Sequence, residues 1–162
     1  MEFRELVKDC SKNNKNQIIH NADIDHAKDL FSELLSCAIE HRKPVRLVSG
    51  SLNDDFYGSL ANAAEKIIAA GLAFEIIVTD SNVDLGNNRL SNVVKKTNKG
   101  LVLQAKKTLS DCAHFIVVGK SRWRFETNHE QTKAKANFND PEIGSMIVHR
   151  FDSLKSKLRA DK

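Results

Sequence analysis

The 162-residue sequence is short of several features, and each shortage removes a class of protein. Only two prolines occur, which excludes collagen-like chains and Pro-rich linkers. Three cysteines, Cys10, Cys37 and Cys112, form no C-x-x-C pair, and their odd number supports neither a disulfide framework nor a zinc ribbon. The six histidines do not fall into an H-x-x-x-H pattern with an intervening Glu, so no metal site and no cofactor is expected. Apolar runs are short (Ile67–Ala70, Ile76–Val78, Phe115–Val118), far below the ~20 residues of a membrane-spanning helix. The first residues are charged and lack the apolar stretch of a signal peptide, so a cytoplasmic protein is expected.

What is present is a hydrophobic share of 41%, enough for a packed core, in a length that suits one domain. The net charge of +4 is unevenly spread. Residues 1–43 carry 7 basic and 8 acidic side chains, residues 44–88 carry 2 and 6, and residues 89–162 carry 16 and 7. Such a basic second half favours a polyanionic partner, although a solvated lysine-rich surface gives the same count.

Periodicity predicts the elements. Phe3, Leu6, Val7 and Cys10 keep helical spacing, and Ile24 to Ile39 form a wide apolar stripe that Asp23 or Asp25 can cap. Val45–Val48 reads as a strand, residues 55–70 as a helix stopped at Gly71, and 73–79 as a second strand, a parallel crossover unit. A short helix is expected over 90–98 and strands over 101–105, 114–118 and 122–127, the last two as a hairpin. Residues 128–135 read as a loose polar loop. Asp140-Pro141-Glu142 opens a final helix whose basic tail, 155–162, is expected to fray. The fold class is α/β: one mixed sheet flanked by helices, over residues 44–162, with an N-terminal helical extension over 1–43 packed on it.

Three segments carry a resemblance. They are Pro44-Val45-Arg46-Leu47-Val48-Ser49-Gly50 with Gly71 before the second strand, Ala113-His114-Phe115-Ile116-Val117-Val118-Gly119, and Ala136-Asn137-Phe138-Asn139-Asp140-Pro141-Glu142. Together they resemble one lobe of the phospholipase D-like superfamily. The resemblance implies a catalytic histidine at His114 within H-x-K-x-x-x-x-D. Here the lysine position is Ile116 and the aspartate position is Ser121. The imidazole therefore lacks the motif's cation for the phosphoryl oxygens and its carboxylate. A degenerate site is expected, with hydrolysis by the family mechanism disfavoured and His114 the single catalytic candidate. His129, followed by Lys133 and Lys135, has the wrong spacing for a second copy of the motif.

Arg122 and Arg124 alternate with Trp123 and Phe125, which puts the arginines on one strand face and the aromatics on the other. The bland expectation is a core Trp123 and Phe125 with both arginines in water. The functional one is phosphate pairing by an arginine fork, extended by Lys95, Lys96, Lys99, Lys106, Lys107, Lys120, Lys133 and Lys135. The Ser49-Gly50-Ser51-Leu52-Asn53 turn lies where a strand ends and a helix begins, a place that suits an anion or a simple capped turn. Ligand-binding candidates are thus Ser49, Ser51, Asn53, His114, Arg122, Arg124 and Asn137. The expected function is a non-catalytic binding module for nucleic acid or another phosphodiester, with a homodimer or protein partner implied by the resemblance. The alternatives are a phosphodiesterase or nuclease rearranged around His114, and a structural protein-interaction subunit.

Overall fold

In a computed structural model, described over residues 2–128, 130 and 133–161, the local signals set the first elements. Helix α1 (Phe3–Lys12) buries Val7 and Cys10, and α2 (Ile24–His41) buries its stripe from Ala27 to Ala38. The Asp23 side chain caps α2 by accepting from the His26 amide at 2.9 Å. Strand β2 (Val45–Ser49) leads to α3 (Asp54–Tyr57), a 3-10 turn (Gly58–Leu60) and α4 (Ala61–Ala69). The single helix expected over 55–70 is thus broken at Gly58. A Cβ at Gly58 would stand 2.3 Å from the Arg89 guanidinium, so the Arg89 side chain packs close against the backbone at that point. Strand β3 (Phe74–Val78), α5 (Arg89–Lys95), β4 (Gly100–Gln104), β5 (Phe115–Val118), β6 (Arg122–Asn128), β7 (Lys133–Asn137) and α6 (Pro141–Ala160) follow.

The seven strands form one mixed sheet in the order β1-β7-β6-β5-β2-β3-β4, where β1 is Ile19–Asn21. Strands β2, β3 and β4 run parallel, and β5, β6, β7 and β1 pair antiparallel. Two strands depart from the sequence expectation, and they pair with each other. Strand β7 lies in the segment read as a loop. Its lysines, Lys133 and Lys135, are exposed while Ala134 and Ala136 are buried, a period of two hidden by polar composition. Strand β1 has only three residues and joins the sheet edge from within the first 43, so that segment adds a strand to its helices. The tail of α6 does not fray before Ala160: Lys155 pairs with Glu75, and Lys106 Nζ donates to the Asp161 carbonyl.

Helices α1 to α5 cover one face of the sheet, around Phe31, Leu34, Leu47, Ile76, Ile116 and Phe138. Helix α6 covers the other, its Ile147 and Phe151 in one cluster with Phe115, Val117 and Trp123 of the sheet. Strand alternation then decides where β6 points. Arg124 is the register partner of Ile116 and Arg122 of Val118, so both arginines turn toward the helical layer of α1 and α2. They are 2% and 7% exposed, which corrects the expectation that they face water. Trp123 is core as expected, and Phe125 is half-buried beside it.

Candidate functional site

Ser49 ends β2, and His114 immediately precedes β5, which runs antiparallel to it. The two therefore meet at one end of the sheet. The turn after Ser49 is locally built: Ser49 Oγ accepts from the Leu52 amide at 3.0 Å, and Leu52 adopts φ 52° with its side chain buried. Asn88 Nδ2 donates to the Leu52 carbonyl at 2.7 Å, and Asn53 caps α3 by accepting from the Asp55 amide. The Asp80 amide holds the Gly50 carbonyl at 3.0 Å. Gly50 gives the imidazole close approach: a Cβ on it would lie 3.0 Å from His114 Cε1.

Glu126 and Arg124, both on β6, complete the arrangement. Glu126 Oε2 is 3.3 Å from His114 Nδ1, and Glu126 Oε1 is 3.5 Å from Arg124 Nη1. Arg124 Nε donates to Asn21 Oδ1 at 3.0 Å, and its guanidinium lies 5.2 Å from the centre of the Phe31 ring. Burial lowers the arginine's affinity for its proton, and the Glu126 charge acts against that shift. The partly buried Tyr57 phenol is pushed up by desolvation, against a hydrogen bond from Ser49 and the Arg124 charge.

These groups line a cavity of about 430 Å³. Its polar wall holds Ser49, Ser51, Asn53, His114, Arg124 and Glu126; its apolar wall holds Ile24, Phe31 and Phe56, with Lys28 and Asp55 adding one charge of each sign. Chemically it offers an oriented imidazole, a guanidinium and a hydroxyl-bearing turn around a space of small-molecule size.

Five of the seven candidate ligand residues thus converge: Ser49, Ser51, Asn53, His114 and Arg124. The other two stand apart. Arg122 Nη2 donates to Asn14 Oδ1 at 3.3 Å, and Asn137 Nδ2 donates to Asn16 Oδ1 at 2.8 Å, so both hold the loop between α1 and β1. Asn137 Oδ1 also accepts from the Asn139 amide, and Asp140 caps α6 through the Ile143 amide. Ile116 is 1% exposed in the core, and Ser121 sits in the β5–β6 turn at the end of β5 away from His114. His129 lies outside the described residues.

The lysines do not extend the cavity wall as one surface. Lys95, Lys96 and Lys99 precede β4 and Lys120 follows β5, at the sheet end opposite Ser49, and Lys28 is the lysine that lines the cavity. Sequence reasoning missed Glu126 and Asn21. Glu126 carried a signal, since Arg122, Arg124 and Glu126 share one face by period two; Asn21 carried none, because β1 is too short to register. Among the described residues, no three His, Cys, Asp or Glu side chains cluster as a metal site, and no helix is long and apolar enough to cross a membrane.

The mixed sheet between helical layers has the phospholipase D-like fold. Among solved structures, the chain is similar to NucT from Helicobacter pylori, with 12% identity and a TM-score of 0.66 over 88% of this chain and 97% of that one. It is also similar to Nuc from Salmonella typhimurium, a phospholipase D family member, with 13% identity and a TM-score of 0.57 over 86% and 92%. TrmBL2, an archaeal chromatin protein described as having a novel mode of DNA binding, aligns with 13% identity and a TM-score of 0.65 over 94% of this chain. The chain spans 58% of TrmBL2's length. Neither a family model nor a curated protein sequence matches the chain.

Proposed function

We propose that the cavity binds a phosphate-containing ligand, with a nucleic-acid phosphodiester as the leading class, and that the chain is a binding module without the H-x-K-x-x-x-x-D motif of the superfamily it resembles. The observation that carries this reading is the convergence of His114 and Arg124 on one cavity with the Ser49–Asn53 turn. An arginine fork suits phosphate oxygens, and hydroxyls and amides of the turn add neutral donors. The similarity to TrmBL2, described by its DNA binding, supports nucleic acid over other phosphodiesters. Within this proposal residues 44–162 are the lobe and residues 1–43 an addition with a share in the site, since α2 and Asn21 build the Arg124 side of it. Pairing with a second copy and a cytoplasmic setting belong to the same reading.

Fluorescence anisotropy with single-stranded and duplex DNA oligonucleotides tests it. Binding that weakens with salt and falls at least tenfold in Ser51→Glu, an exposed change at the cavity mouth, is the expected result. Absence of binding at low salt removes the nucleic-acid version.

One observation favours a second reading, a phosphodiesterase with a rearranged site. Glu126 stands where a carboxylate can orient the His114 imidazole, and Arg124 supplies a cation, the two supports that Ser121 and Ile116 lack. Turnover of bis(p-nitrophenyl) phosphate that disappears in His114→Ala would establish this reading in place of the first.

A further inference from the structure

The opposite face of the sheet carries a second concavity, separate from the His114 cavity. A groove of about 270 Å³ runs between β6 and α6, floored by Trp123 and Phe125 and rimmed by Ile143 and Met146. Met146 is 64% exposed and Ile143 is 39% exposed, large apolar side chains that the monomer leaves in water. Trp123 is 4% exposed, and among the described residues its indole N–H has no acceptor.

The two charged residues that line the groove, Lys135 and Arg150, are both cations. Arg150 lies 5.9 Å from the centre of the Phe125 ring, and Lys135 is the register partner of Phe125 on the adjacent strand. Among the described residues neither cation has a carboxylate within ion-pair distance. An apolar floor with two unpaired cations at its rim asks for an apolar anchor flanked by carboxylates.

We propose that this groove docks a peptide segment of a partner protein, with an aliphatic or aromatic anchor and acidic residues on either side. A second copy of this chain is the poorer occupant. A two-fold contact through the groove is isologous and would bring Lys135 and Arg150 of one copy against the same cations of the other. A bilayer surface is poorer too, because the feature is concave and takes an inserted side chain better than a plane.

Random-peptide display on the full chain, followed by anisotropy with the enriched peptides, tests the proposal. Expected are peptides with an apolar anchor flanked by Asp or Glu, binding at least tenfold weaker to Met146→Asp and to Arg150→Glu. Replacing their acidic flanks by lysine restores binding to Arg150→Glu. Both substitutions are at exposed positions, and circular dichroism confirms that the variants are folded. Enrichment of peptides without acidic flanks, binding indifferent to both substitutions, or no enrichment overturns the proposal. So does self-association or anionic-vesicle binding that is abolished by Met146→Asp while peptides do not bind.

Discussion

Ile116 and Arg124 are register partners across β5 and β6. Paired positions in an antiparallel ladder put their side chains on one face, with Cβ atoms roughly 5 Å apart. The position where the resemblance asks for a lysine is therefore apolar and buried, while its neighbour on the next strand carries a guanidinium to the cavity. Glu126, two residues further on the same face, brings a carboxylate to His114. The cation and the carboxylate absent from the His114 strand both stand on β6.

Removing the buried guanidinium exposes how much of the site's architecture it holds. Arg124→Ala leaves Glu126 and Asn21 without that partner and opens a space beside Phe31. A loss of about 3 kcal/mol in unfolding free energy is expected by urea denaturation. Arg124→Lys keeps the charge but not the fork and recovers only part of the loss.

Gly50 sets the distance between the turn and the imidazole. In Gly50→Ala the new Cβ meets His114 Cε1 at 3.0 Å, and the ring has to shift by a few tenths of an ångström. Oligonucleotide affinity should fall several-fold while the urea midpoint changes little. An unchanged affinity would separate His114 from binding.

Helix α6 approaches the β5–β6 turn through Gly144. A Cβ there would sit 2.0 Å from the Lys120 carbonyl oxygen, a backbone atom that cannot swing aside. Helix propensity favours Ala over Gly by about 1 kcal/mol. Gly144→Ala should nevertheless lower the melting temperature, and a rise would show that α6 has room at that point.

Asp54 links α3 to the start of α5: its Oδ1 accepts from the Arg89 amide at 3.0 Å and its Oδ2 lies 3.2 Å from Arg89 Nε. The hydrogen bond from the Arg89 backbone, opposed by desolvation and aided by the guanidinium, lowers its carboxyl below the ordinary carboxylate value. A group lowered on folding contributes stability that is complete above its unfolded value and is lost as pH falls through the folded one. The urea midpoint of the native chain should therefore drop between about pH 5 and pH 3, and that of Asp54→Asn should drop less.

Most of the fold was legible because its elements carry strong local signals. The α2 stripe, the β2–α–β3 crossover, the β5–β6 hairpin and the Asp140-Pro141 start are all where periodicity and capping place them. The strands β1 and β7 were not, because three residues are too few for a period and alternating lysines resemble a loop. For the site, the turn and His114 were legible from strand ends, and Arg124 from its alternation with aromatics. Its burial was not, because only the register with Ile116 and the helical layer above it turns that face inward. The basic second half likewise includes two buried arginines, Arg122 and Arg124, and lysines at both ends of the sheet, which no count along the chain reveals.

The most direct test of the binding account is chemical-shift mapping with a single-stranded DNA oligonucleotide titrated into the isotope-labelled chain at low salt. The account predicts perturbations concentrated on residues 49–53, His114 and Arg124 that diminish as salt rises. Perturbations confined to the lysines flanking β4, or none at all, would contradict it.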